Sequence, residues 1–130
     1  MTRGFLYNKH MQEEVFEQLV GEVIDTLPEE FAQKLDNVVV VVEDHPTQEQ
    51  MQKLHLRPWT NLLGLYEGVS LQGRASEPSI LPDKITIFKL PILSISQDPE
   101  DIKKNVRDTV LHEIAHHFGF SDEEIQKIRG

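Results

Sequence analysis

Residues 98–122 read DPEDIKKNVRDTVLHEIAHHFGFSD and contain the signals that decide the fold. Asp98 suits the cap of a helix, Pro99 suits its first position, and acidic residues follow in the first turn. Gly119 supplies a natural stop. We therefore predict a helix that ends at Phe118, and helical spacing predicts that its core face is formed by Ile102, Val106, Val110 and Ile114.

Two histidines of this helix form a candidate metal site. His112 and His116 are four residues apart, so their side chains project from nearly the same face. Imidazoles in this arrangement can bind one Zn²⁺ at about 2.0–2.1 Å each. Glu113 lies one residue further along, within reach of a metal-bound water, which is the position of the general base in a metallopeptidase. A random sequence of this composition would contain the His-Glu-x-x-His pattern only about 0.03 times, which favours a metal site over two surface histidines beside a solvated acid.

The third ligand is less strongly indicated. Catalytic zinc usually takes three protein ligands and keeps a fourth position open. Gly119 allows the backbone to turn, and the carboxylate of Asp122, six residues after His116, is the candidate. The alternative is that Asp122 is only an acid at the start of a short final helix, because Ser121 and Glu124 match a capping box.

The rest of the chain predicts one α+β domain with a helix first, a small sheet in the middle and the metal-site helix last. Helical spacing covers residues 11–27 up to Pro28, and one or two further turns follow in residues 29–35. The five valines at 38–42 predict a strand that is buried on both faces. Residues 47–54 predict a short helix capped by Thr47.

Two further strands are predicted before the last helix. Residues 63–67 form the first, with Gly68 as a turn or bulge, and residues 84–90 form the second, which Pro91 should end. Residues 72–82 contain glycine, serine and proline and predict a loop between these two strands.

Composition narrows the class of function. A chain of 130 residues without cysteine is expected to be one domain, and any metal in it must be held by His, Asp or Glu. The net charge of −9 argues against nucleic acid or an anionic membrane as a partner. Neither a signal-like apolar stretch nor a membrane-spanning one is found, so we expect a cytoplasmic location.

Residues 112–122, which read HEIAHHFGFSD, resemble the His-Glu-x-x-His-x-x-Gly-x-x-Asp signature of a family of small bacterial zincin-like zinc metallopeptidases. The resemblance extends to LGLYEG at 63–68 and LPDKITIF at 81–88. It implies a minimal zincin fold in which Glu113 is catalytic and the zinc ligands are His112, His116 and Asp122. The signature is also similar to that of the metzincins, with Asp in place of their third His. No methionine follows it here, so the pocket floor must differ from the metzincin Met-turn.

Two aromatic residues are weaker candidates. Tyr66 could polarise a scissile carbonyl, as donors do in acyl-transfer sites, or it could be a strand aromatic in the core. His117 points about 100° away from His116 and could contact substrate or simply lie at the surface. The backbone of a peptide substrate could pair with the edge of residues 63–67 or of residues 84–90.

The sequence therefore predicts a zinc-dependent metallopeptidase that acts on a peptide or protein substrate. One alternative is another zinc hydrolase, for example one acting on RNA, which would need a basic groove and is disfavoured by the charge. The other is a non-catalytic, metal-stabilised interaction module. Glu113 favours catalysis over this module, because a purely structural site has no need of a general base.

Overall fold

The protein was analysed as a computed structural model, which describes residues 11–68, 82–119 and 123. Within these residues the chain forms five helices and three strands. In chain order they are α1 (Glu13–Asp25), α2 (Glu29–Lys34), β1 (Val38–Glu43), α3 (Gln48–Lys53), β2 (Gly64–Glu67), β3 (Asp83–Phe88), α4 (Lys89–Ser94) and α5 (Pro99–Phe118). The predicted α+β class and the order of helix, sheet and final helix are confirmed.

The sheet is small and mixed, with strand order β1-β3-β2. β1 runs parallel to β3 with Val40 opposite Ile85, and β2 runs antiparallel to β3 with Tyr66 also opposite Ile85. β3 is therefore the central strand, and its residues 85–88 are at most 1% exposed. Its side chains form the middle of the core, with β2 left as an edge strand.

The valine strand β1 differs from its prediction. A run of valines predicted burial on both faces, but Val39 is 43% exposed. The physical reason is position, since β1 lies at an edge of the sheet and only β3 lies between two neighbours. β-branched residues favour extended backbone in either place, so their presence does not identify the central strand.

The third strand ends earlier than predicted. Residues 84–90 were expected to be a strand closed by Pro91, but β3 ends at Phe88 and α4 begins at Lys89. Pro91 is the third residue of α4, within the first turn, where backbone N–H groups have no partner inside the helix. A proline is therefore tolerated there, and the buried Ile92 and Leu93 anchor the helix to the core.

Helix α5 has the bounds that its capping residues predict. The Asp98 carboxylate accepts a hydrogen bond from the Asp101 N–H at 2.9 Å, and Gly119 closes the helix with a left-handed φ of +75°. All four predicted core residues (Ile102, Val106, Val110 and Ile114) are fully buried. They pack in one hydrophobic core with residues of α1 that include Phe16, Val20 and Val23.

Predictions for the remaining segments have mixed outcomes. α1, α2 and α3 lie where helices were predicted, and Thr47 forms the expected capping box with Gln50. Of the loop predicted over 72–82, residues 72–81 lie outside the described residues, as does the capping box of Ser121 and Glu124. No helix within the described ranges has the length and apolar character needed to cross a membrane.

A buried threonine in β3 gives a test of this packing. Thr86 is 1% exposed, and its hydroxyl has no hydrogen-bond partner among the described residues. We expect Thr86→Val to keep or raise the free energy of unfolding, measured by chemical denaturation, because it removes an unpaired polar group at nearly constant volume. The matched control is Thr47→Val, which removes the cap of α3 and should cost about 0.5–2 kcal/mol. An equal loss in both variants would contradict the assigned burial.

Candidate metal centre

Helix α5 carries both histidines of the candidate site on one face. The ring centroids of His112 and His116 are 5.5 Å apart, with the rings inclined at 76°. Both side chains are exposed, whereas Ile114 and Ala115 between them are buried. The same helix thus anchors itself in the core and holds two imidazoles at the surface.

Glu113 lies beside this pair in a more sheltered position. Its side chain is half-buried, and Oε1 accepts a hydrogen bond of 2.7 Å from the backbone N–H of Tyr66 in β2. Burial raises the pKa of Glu113 above its ordinary value, against the opposing effects of the Tyr66 N–H and of His116 and His112. The carboxylate is therefore oriented by the strand and is more basic than a solvated glutamate.

The edge of β2 faces the candidate site. The Phe88 N–H donates to the Leu63 carbonyl at 2.9 Å, so residues 63 and 65 form the hydrogen-bonded pairs with β3. In an antiparallel ladder the alternate residues, Gly64 and Tyr66, direct their backbone groups away from the partner strand. The bond from the Tyr66 N–H to Glu113 agrees with this alternation.

Gly64 allows β2 to approach α5 closely. A Cβ atom at this position would lie 2.5 Å from Cγ2 of Thr109 and 3.1 Å from the Thr86 carbonyl oxygen. Neither neighbour is the free end of a long side chain, so a larger residue would push the strand away from the helix. The contact between Tyr66 and Glu113 two residues further along depends on this spacing.

Tyr66, His117 and Asp83 form a second cluster at the end of α5. The rings of Tyr66 and His117 stack with centroids 3.9 Å apart and planes inclined at 19°. The Tyr66 hydroxyl donates to Oδ2 of Asp83 at 2.6 Å, and Nε2 of His117 lies 3.9 Å from the same oxygen. Burial, followed by the hydrogen bond and charge of Asp83, raises the pKa of Tyr66 above its usual range.

The two weaker candidates from the sequence, Tyr66 and His117, both belong to this cluster. Both are next to the candidate site, but they contact each other across the interface between β2 and α5. Asp83, which holds the tyrosine hydroxyl, was not singled out from the sequence. It is an acid at the first position of a strand, and only the pairing of β2 with β3 brings it to Tyr66.

The described donors fit part of a zinc site. Imidazole nitrogens are common zinc ligands, and both rings lie on one exposed face of α5. Within residues 11–68, 82–119 and 123, no group of three His, Asp or Glu side chains is placed to hold a metal ion. The predicted third ligand, Asp122, lies outside the described residues.

A cavity of about 380 Å³ opens next to these residues, between β2 and α5. We call it the β2–α5 pocket. His112 and Glu113 form one end of its lining. The remaining lining residues come from the start of β2 with the two residues before it, and from the two preceding turns of α5; they are Leu62, Leu63, Gly64, Asn105, Asp108 and Thr109.

Comparison with known proteins places these features in a family. A search of curated proteins found no match. A solved structure of a conserved hypothetical protein from Thermo thermophilus is similar, with 26% sequence identity and a TM-score of 0.51, over 83% of this chain and 94% of that one. A model of the zincin-like metallopeptidases matches residues 35–130, which include all the side chains of the candidate centre. The chain belongs to the zincin-like metallopeptidase family.

Proposed function

We propose that this protein is a zinc-dependent metallopeptidase in which His112, His116 and Asp122 bind the metal and Glu113 is the general base. The observation that carries the proposal is the placement of Glu113. Its half-buried carboxylate is within electrostatic reach of two histidines that share one helix face, and a strand edge fixes one of its oxygens. A purely structural metal site would not require a carboxylate held in this way.

The donor set suits zinc better than a harder cation. Two imidazoles and one carboxylate are a typical catalytic zinc set, whereas magnesium and calcium prefer oxygen ligands throughout. When bound, zinc supplies a Lewis acid that makes water nucleophilic near neutral pH and polarises a carbonyl group.

Glu113 performs the proton transfers. Oε1 accepts a hydrogen bond from the Tyr66 N–H, which restricts the rotation of the carboxylate and leaves its other oxygen for proton transfer. Glu113 takes one proton from the attacking water as the bond from oxygen to the peptide carbon forms. It then delivers this proton to the leaving amine as the carbon–nitrogen bond breaks. Burial favours this role because it raises the pKa of the carboxyl group.

The outer edge of β2 is the proposed docking site for the substrate backbone. The sequence left residues 63–67 and 84–90 as alternatives, but residues 84–88 belong to the central strand and are paired on both sides. The outward backbone groups of Gly64 and Tyr66 border the site. The Tyr66 N–H donates to Glu113, so a peptide would pair with the backbone groups of Gly64 and the carbonyl of Tyr66. An extended peptide bound there would lie beside Glu113, in the way that a peptide adds a strand to a sheet edge.

We propose that Tyr66 positions this edge and does not act through its hydroxyl. The hydroxyl donates to Asp83, and the ring stacks on His117. The first contact ties β2 to β3, and the second holds β2 against the last turn of α5, close to where the Tyr66 N–H meets Glu113.

Metal content tests the ligand assignment. We expect the purified protein, prepared without chelator, to contain about one zinc per chain by elemental analysis. His112→Ala and His116→Ala should each lower this content sharply, because each removes one of three ligands. His45→Ala, at an exposed histidine near the end of β1, is the control and should keep full zinc. Full retention of zinc by both helix variants would exclude this site.

The same measurement tests Asp122 as the third ligand. Asp122→Ala should weaken zinc binding far more than Ser121→Ala, which removes the predicted cap but no ligand. Asp122→His should retain zinc better than Asp122→Ala, because it restores a ligand of the metzincin type. Equal affinity in Asp122→Ala and Ser121→Ala would make Asp122 only a helix-start acid.

Catalysis is tested by Glu113→Gln. Gln keeps an oxygen for the Tyr66 N–H but cannot take a proton, so we expect zinc to stay bound and peptide hydrolysis to fall by about 10²–10⁴-fold. Glu100→Gln, at an exposed acid of the same helix, is the matched control and should retain activity. Retained hydrolysis in Glu113→Gln would exclude Glu113 as the base. Failure of the zinc-loaded wild type to cleave any member of a broad peptide library would favour the interaction module.

The role of Tyr66 is tested by Tyr66→Phe. We expect a loss of stability of about 0.5–1.5 kcal/mol in chemical denaturation, because the hydrogen bond to Asp83 is removed while the ring is kept. Hydrolysis should fall by less than about tenfold, since a lost oxyanion donor would cost about 10²–10³-fold. A loss in that higher range at unchanged stability would instead assign the hydroxyl to the transition state.

A further inference from the structure

β1 forms the edge of the sheet that lies opposite β2. The Asn37 carbonyl accepts a hydrogen bond from the Asp83 N–H at 3.1 Å, which fixes the direction of the backbone groups along β1. The odd-numbered residues of β1 direct these groups towards β3, because the direction alternates along a strand. Val40 and Val42 therefore direct theirs outward, and between residues that the structure describes no hydrogen bond reaches them. A further strand can pair with this outer edge.

The side chains along the outer edge of β1 are apolar and incompletely covered. Residues 38–42 are all valine, and none of them is fully buried. Val38, Val40 and Val42 pack against the core but stay partly exposed, and Val39 is 43% exposed. Edge strands are commonly protected by charged residues, proline or a bulge, and β1 contains none of these before Glu43. An edge of this kind favours pairing with another chain.

We propose that two copies of this chain pair through β1 in antiparallel orientation, around a two-fold axis at Val41. Val40 then exchanges backbone hydrogen bonds with Val42 of the second copy, and the two three-stranded sheets become one continuous sheet. A run of identical valines is complementary to itself, as a two-fold contact requires. The pairing leaves both β2 edges open, so this inference does not depend on the proposed peptidase function.

The acids at the ends of β1 select the register of this pairing. A pairing centred on Val40 would place Asp36 opposite Asp44 of the second copy, and like charges directly opposite each other are unfavourable. A pairing centred one residue later places Glu43 opposite Val39 instead. No acid of β1 or its flanks then faces another acid across the interface.

The oligomeric state in solution is the first test. A six-residue edge buries far less surface than the interfaces of permanent dimers, so we expect a dimer that dissociates on dilution. Sedimentation velocity of the zinc-loaded protein from about 5 µM to about 500 µM should show a shift from monomer to dimer. A monomer at every concentration would overturn the proposal, and so would growth beyond a dimer, because a two-fold contact closes.

Two lysine variants on the same face of β1 test the register. Val41→Lys places two ammonium groups opposite each other at the axis and should raise the dissociation constant by about tenfold or more. Val39→Lys places its ammonium group opposite Glu43 of the second copy and should leave the dimer intact. Val15→Lys, at an exposed position of α1, is the control for the change in charge. Equal weakening by all three variants would overturn the assigned interface.

Single cysteines give a second test that tolerates some loss of stability. The chain has no cysteine, so each variant carries one thiol. Val41→Cys brings the two thiols together at the axis, where Cα atoms of a non-hydrogen-bonded pair are about 4.5 Å apart and a disulfide can form. In Val39→Cys the two thiols are four residues apart along the strands, or about 13 Å.

Mild oxidation followed by non-reducing denaturing electrophoresis separates these cases. We expect a covalent dimer for Val41→Cys and little or none for Val39→Cys, although Val39 is well exposed. Equal cross-linking of the two variants would indicate random collision and overturn the proposal. Cross-linking of Val39→Cys alone would exclude the two-fold axis at Val41. Neither readout requires zinc or hydrolysis, so failure here leaves the peptidase proposal in place.

Discussion

The close approach of β2 to α5 is the constraint on which the candidate site depends. Gly64 leaves no side chain between the strand and Thr109, so the backbone can lie directly against the helix. Two residues further on, this spacing brings the Tyr66 N–H within 2.7 Å of Glu113. The stack of Tyr66 on His117 holds the same interface at the next turn of the helix, and the bond of its hydroxyl to Asp83 fixes the ring to β3. Moving the strand outward would release Glu113, open the pocket and displace the proposed substrate edge together.

Helix α5 contributes to both the core and the candidate site because the helical period separates its residues into two faces. Residues four apart repeat on nearly the same face, so Ile102, Val106, Val110 and Ile114 form a continuous buried row. His112 and His116 follow the same spacing but are offset by two residues, which places them on the opposite side. Glu113 lies between these faces and is half-buried for that reason. A small domain can therefore build such a centre without a separate layer of supporting structure.

The sequence predicted those features that are encoded within one segment of the chain, and it failed for those that depend on contacts between distant segments. The bounds of α5 were predictable because its cap, its proline, its apolar spacing and Gly119 all lie in one segment. The central position of β3, the exposure of Val39 and the partnership of Asp83 with Tyr66 depend on strand order, which no single segment encodes. Pro91 was misinterpreted because a proline can end a strand or sit in the first turn of a helix. The spacing that suggested a metal ligand pair is local, whereas the orientation of Glu113 comes from β2.

The burial of Glu113 opposes the stability of the fold, and the proposed metal would offset part of this cost. A carboxyl group whose pKa is raised in the folded state binds its proton more tightly there than in the unfolded chain. At pH values above that raised pKa the ionised group therefore lowers the free energy of unfolding. The charges of His116 and His112 already lower the pKa of Glu113, and a divalent ion held by these histidines would lower it more strongly. A half-buried carboxylate is thus unfavourable to the fold by itself but well suited to a site that holds a metal, as expected where function and stability make different demands.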